Sequence, residues 1–397
     1  MIRSKKAQVE VTFNWVYILI AGAVILLFFA GIIVKQKVAS EESLDQEVIR
    51  IMENIFTAAQ VSENTKTTID ISGLRDYTLY FSCEEGVSKY GLSGKSLPVE
   101  DSINPIFAPN EIKATQLLTW SVPYKLPFKV IDFLFVTSTT NKYVLWGNNE
   151  ISAGFIHSVS NVSAANDKSK INFNVVQVQD LAEIQPAQNV QIRIIDGEGR
   201  IKEGDPILPL LMERMKNIPD KSLTAVSFQG GGSSRIANFF VKEKEVWKKL
   251  NKEPIRIVSL GGDNDAALYG AIFSGDDQIY ICNMKKSFTR LGYLNEVYGG
   301  EELTAGKEGG KLREMVAYYK NRPELTLTSE CLNYITLNPQ DNLQTSLQSH
   351  QNKVAECLTR FTAKELPPEC IGLVDSALKV KTANDNLAER GDCITLY

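Results

Sequence analysis

Three stretches decide the fold: VQIRIIDGEG at residues 190–199, LTAVSFQGGGSS at 223–234 and IRIVSLGGDND at 255–265. Each opens on β-branched and aromatic residues and closes on Gly with Asp or Ser, the composition of a strand running into a turn. Between the first two, Asp205 followed by Pro206 reads as an N-cap and first helical residue, starting a helix that runs to about Asn217. After the second, the glycine loop leads into a helix that takes in Phe239, Val246, Trp247 and Leu250. Strand, helix, strand, helix, strand demands right-handed crossovers, and so a parallel sheet with helices on both faces. Leu268–Phe273 and Gln278–Ile281 follow too closely for another crossover and are expected to form an antiparallel hairpin. Met284, Phe288, Leu291, Leu294 and Tyr298 then mark one face of a helix ended by Gly299-Gly300. The expectation is an α/β sandwich with a mixed sheet over residues 181–300.

Ligands of open α/β sheets lie beyond the carboxyl ends of the strands. Asp196 follows the first strand, Gly230, Gly231, Gly232, Ser233 and Ser234 the second, Asp263 and Asp265 the third. Backbone N–H groups at a helix start favour an anion, and a carboxylate pair can hold a divalent cation. The expected ligand is therefore a small anion or a metal-bridged phosphate. The same residues also serve ordinary turns, glycine for positive φ and aspartate for capping. The loop lacks the Lys-Ser/Thr of a P-loop and the spacing of a dinucleotide fingerprint, and no cofactor is expected. The two histidines, His157 and His350, lie in no nucleophile context, and His350 reads as solvated on a polar helix face. A structural or binding role stands ahead of catalysis.

Upstream, residues 63–180 read as a small, mostly-β, membrane-proximal domain. Thr68–Ile71, Tyr77–Phe81, Leu117–Val122, Lys129–Thr137 and Tyr143–Trp146 are expected strands, as are residues near 151–157 and 171–178. Its aromatic residues, Trp120, Phe133 and Phe135 among them, read as core. Asn161-Val162-Ser163 is an N-glycosylation acceptor pattern. Downstream, residues 301–397 read as a helical module. One apolar stripe runs through Leu312, Met315, Val316 and Tyr319, another through Leu343, Leu347, Val354, Leu358 and Phe361.

At the amino end, no charged residue occurs between Val11 and Val34. Roughly 20 apolar residues at 1.5 Å each span a bilayer core, so 13–34 is expected to be a transmembrane helix. Residues 1–12 would be a cytoplasmic or signal segment, and 35–62 an amphipathic helix carrying Leu44, Val48, Ile51, Ile55 and Ala59 on one face. Arg3, Lys5 and Lys6 precede the apolar run against Lys35 and Lys37 after it, which puts the remainder outside the cytoplasm.

Lys5-Lys6-Ala7-Gln8 ahead of that run resembles the class III signal peptide of archaeal pilins and flagellin-like proteins. The resemblance covers about the first 60 residues and implies cleavage between Ala7 and Gln8 with the helix retained. Thr12 stands where pilins carry glutamate, and a plain signal anchor is the other reading. The soluble part resembles uncharacterised anchored archaeal proteins.

Six cysteines, none spaced as Cys-x-x-Cys, give no zinc-ribbon or thioredoxin motif. Outside a membrane an even count implies disulfides; inside it, free buried thiols. Cys331, Cys357, Cys370 and Cys393 are expected to pair mostly among themselves, with Cys83 and Cys282 bridged across domains or free. With 43 basic and 47 acidic residues the net charge is −4, and no basic block invites nucleic acid. The expected partners are the bilayer and other envelope or pilus-like proteins. Two function classes follow: an anchored cell-surface protein with a structural, binding or assembly role, or an extracytoplasmic sensor or enzyme taking a small anionic ligand.

Overall fold

The computed structural model describes residues 53, 56, 64–94, 98–160, 173–183, 189–207, 209, 218–262, 265–300, 310–322, 328–337, 342–362, 365–390 and 393–397. In chain order the strands begin with β1 (Lys66–Asp70), β2 (Leu79–Glu84), β3 (Val87–Leu92), β4 (Val99–Asp101) and β5 (Ile106–Phe107). Then come β6 (Glu111–Ile112), β7 (Gln116–Lys125), β8 (Lys129–Ser138), β9 (Asn141–Trp146) and helix α1 (Glu150–Ser160). Next are β10 (Val175–Gln177), β11 (Gln191–Asp196), β12 (Leu223–Gln229), β13 (Ile236–Glu243), β14 (Val246–Lys249) and β15 (Ile255–Arg256). The helices that follow are α2 (Ala266–Phe273), α3 (Asp277–Gly299), α4 (Lys311–Lys320), α5 (Thr328–Leu332), α6 (Leu343–Arg360) and α7 (Gly372–Ala388).

Three sheets result: β1-β7-β8-β5, β4-β3-β2-β6, and β10-β9-β11-β12-β13-β14 with β15 also on β13. In the third, β10, β9, β11 and β12 run parallel, while β13, β14 and β15 are antiparallel. The sheet joins β9 and β10, from upstream of residue 180, to β11 and β12 from downstream of it.

Period-two alternation assigns the faces of this sheet. On β11, Ile192 and Ile194 join Val144, Ala225 and Phe240 in one apolar cluster. Ile195 points the other way, into a cluster with Tyr143, Leu145, Val226 and Phe239. That second cluster continues without a break through Trp120 and Phe135 of the first sheet, Phe273 and Phe288 of α2 and α3, and Leu347 and Leu387 of α6 and α7. The terminal helices therefore share a core with the sheets, and Phe56–Tyr397 form one compact unit.

Three disulfides cross this unit. Cys83–Cys282 ties β2 to α3, Cys331–Cys393 ties α5 to the chain end, and Cys357–Cys370 ties α6 to the turn before α7. Their Cα separations are 5.7, 5.6 and 4.6 Å. The four tail cysteines thus pair within their own set, and the remaining two bridge distant elements.

The architecture corrects the expected fold class at several points. Among the described residues no helix is long and apolar enough to cross a membrane, which removes the transmembrane helix from the observed fold. The segment 13–34 lies outside the described residues, as do 1–12 with Ala7 and Gln8, nearly all of 35–62, Asn161, and 208 and 210–217 of the helix expected from Asp205 to about Asn217. The described start of that helix is not helical: Pro206 forms an isolated antiparallel bridge with Val246, and Asp205 accepts from Lys202 N in a turn. Residues 236–249 form the β13–β14 hairpin instead of a crossover helix. Ala237 and Phe239 face one core and Phe240 the other, so period-two burial overrides the helix propensity of the Lys-Glu tip. The third expected parallel strand shrinks to β15, which pairs with β13 and not with β12. The expected hairpin at 268–281 is α2 and the start of α3. Each carries an aspartate N-cap: Asp265 accepts from Leu268 N, and Asp276 from Ile279 N. The strand expected near 151–157 is α1, whose Ile151, Phe155 and Val159 recur at the four-residue spacing of a buried helix face.

Candidate functional site

At the carboxyl edge of the parallel strands, Asp196, Ser234 and Asp265, all expected to bind a ligand, are engaged in hydrogen bonds of the fold. Asp196, fully buried at the end of β11, accepts from Glu198 N at 3.1 Å, Ile201 N at 2.9 Å and Ser227 Oγ at 2.7 Å. Its carboxylate closes the β11 turn and pins it to β12. The glycine loop opens no helix: Gly230 (φ 75°) leads through Gly231 into a single 3-10 turn, Gly232–Ser234, and then β13. Ser234 Oγ donates back to Gly231 O at 2.8 Å, which makes the loop a self-contained turn. The Ser233 side chain and all of Asp263 lie outside the described residues. Asp265 caps α2 and stands 4.0 Å from the buried Arg235 guanidinium. Burial raises the Asp265 carboxyl, against the lowering effect of the Leu268 N–H, Ser259 and Arg235. The β11 turn is also filled: a Cβ on Gly197 would fall on the Asn149 side chain, and one on Gly199 on Gln229. Among the described residues no three His, Cys, Asp or Glu side chains cluster to hold a metal.

The open space lies at the opposite edge. A groove of about 660 Å³ runs along the amino ends of β9, β11 and β12 and is closed by the α2–α3 junction, Ile272 to Gln278. That volume falls within the range of small-molecule sites. Gly275 makes the junction tight: its N–H donates to Ala108 O at 2.9 Å, and a Cβ there would come within 2.6 Å of Asn110 N. Asn110 Nδ2 in turn donates to Asp276 Oδ2 at 2.6 Å.

The groove holds charge of both signs. Arg193 follows from the alternation of β11: it takes the same face as Ile195, against α2, and is 6% exposed. Its Nη2 donates to Ala271 O at 3.0 Å and its Nη1 to Gly275 O at 3.4 Å, carbonyls at the carboxyl end of α2, while Nε has no acceptor. Among the described residues no carboxylate forms an ion pair with it, and burial lowers its guanidinium to about 10, with Tyr143 and Asp276 opposing the shift. Asp277, in the first turn of α3, is 7% exposed and receives a side-chain hydrogen bond from Gln278 Nε2 at 3.2 Å. Burial raises its carboxyl, with Gln278 opposing and neighbouring Asp276 adding to the shift. Lys221 lies exposed at the rim, and Ile272, Phe273, Val241 and Leu250 supply apolar wall.

Among the described residues no hydroxyl lining the groove is hydrogen-bonded to a base. Ser274 Oγ donates to Gly270 O, Tyr143 OH to Thr137 Oγ1 and Thr224 Oγ1 to Ile192 O. Set beside protein-family models, curated proteins and solved structures, the chain matches none.

Sequence reasoning missed Arg193 and Asp277. Arg193 was open to detection: an arginine between Ile192 and Ile194 in a strand buried on both faces is a charge forced inside. Asp277 carried no such signal, because the junction that places it looked like a hairpin.

Proposed function

We propose that the protein works outside the cytoplasm, at the cell surface, as a binding or assembly module. The observation that carries this reading is the pairing of all six cysteines in three disulfides, two of them inside the helical region that closes the core. Such cross-links persist in oxidising compartments and are rare where thiols are kept reduced. A binding role is favoured over a hydrolytic one because the groove pairs no nucleophile with a base. Its partners would be other envelope proteins or a small ligand held in the groove.

The test is surface labelling. Intact cells treated with a membrane-impermeant amine reagent should yield protein labelled at exposed lysines of the compact unit, such as Lys248 and Lys381, before lysis. Labelling at those lysines only after the cells are broken would overturn the assignment.

A further inference from the structure

The groove contains two buried charges of opposite sign that the fold holds near one another and leaves unpaired. Arg193 is hydrogen-bonded to carbonyls alone; Asp276 is near enough to act on its charge but makes no ion pair with it. Asp277 sits two residues beyond Gly275, whose carbonyl accepts from the guanidinium, and its Cα lies within about 8 Å of the Gly275 Cα. Yet neither makes an ion pair with a described residue. A buried charge without a partner is costly, by several kcal/mol for an isolated ion. Two such groups lining one groove form a recognition pattern: an anionic group of a ligand would meet the Arg193 guanidinium, and a cationic group would meet Asp277. A dianion would be repelled by Asp276 and Asp277, and a simple amine would leave Arg193 uncompensated. Only a molecule carrying both charges a few ångströms apart answers both walls. The apolar lining from Ile272 and Phe273 leaves room for an aliphatic side chain between them.

We propose that this groove binds a small zwitterion, a free α-amino acid or a short peptide, with its carboxylate on Arg193 and its ammonium on Asp277. The proposal rests on the binding reading above and names its ligand class.

Calorimetry on the purified full chain tests it, with leucine and leucyl-leucine as probes beside N-acetyl-leucyl-leucine and leucyl-leucinamide. Heat of binding is expected from leucine or leucyl-leucine, and affinity at least tenfold weaker for both blocked forms of the dipeptide. Asp277→Asn keeps the shape and the Gln278 hydrogen bond, so its melting temperature should stay close to wild type while zwitterion affinity falls at least tenfold. Arg193→Lys, which retains a cation, should bind more weakly than wild type but show the same order among the probes. No heat from either zwitterion at millimolar concentration, or equal affinity for the free and blocked dipeptides, would overturn the proposal. Either failure leaves the surface-labelling result, and with it the extracytoplasmic reading, standing.

Discussion

His350 shows how much one side chain can report. Read as a solvated residue on a polar face, it is instead fully buried between α6 and α7, with Nδ1 2.9 Å from Ser376 Oγ. The position was legible in the spacing: His350 follows Leu347 by three and precedes Val354 by four, squarely on the apolar stripe. Polarity of type outweighed periodicity of place in that reading. Burial pushes the imidazole down to about 4, the Leu126 backbone offsetting part of the shift. With an unfolded value near 6.5, the unfolded chain binds the extra proton between these limits. Stability is therefore full above about pH 6.5 and falls as pH drops toward 4, by about 3 kcal/mol for this group. Urea unfolding at pH 7 and pH 4.5 should show that loss in wild type and a smaller one in His350→Gln; equal losses in the two would refute it. Gly275 gives a second residue-scale prediction. Gly275→Ala must push against the Asn110 backbone and should cost about 1–3 kcal/mol by overpacking, measured as a fall in the urea midpoint at unchanged m-value.

At the scale of elements, strands with clean alternation were legible and short helices were not. β7, β8, β9, β11 and β12 form where composition placed them, because aromatic and β-branched runs bounded by turns have few other uses. α2 was missed because Ala266–Phe273 is buried all round and shows no amphipathic stripe. What identifies it is the cap. Asp265 and Asp276 each stand three residues before an amide they accept from, and of the two only Asp265 had been read as a ligand. Asp276→Ala removes that cap and the Asn110 link together and should cost about 1 kcal/mol, or up to 2. The disulfides rank by the loop they close. Cys331–Cys393 spans 62 residues and Cys357–Cys370 spans 13, so chain entropy gives about 4 and about 3 kcal/mol. Double Cys→Ala variants compared by chemical denaturation should differ in that order.

For the whole molecule, the reading of separate modules gave way to one core that runs from Trp120 through Phe288 to Leu387. Helices that look autonomous in sequence are folded onto the sheets, since a stripe on α6 cannot state which surface it will cover. The groove lies at the other edge of the sheet for a related reason. The turn after β11 is packed by Asn149 and Gln229, and the antiparallel entry of β13 replaces the helix expected after β12. Space remains at the amino ends, where α2 and α3 meet. The central claim is that this core belongs to an oxidising compartment, with every cysteine paired. Its most direct test is to break cells into excess alkylating reagent under denaturing conditions and weigh the native protein before and after reduction. No alkylated cysteine is expected before reduction and all six after it. Free thiols trapped at these cysteines without reduction would contradict it.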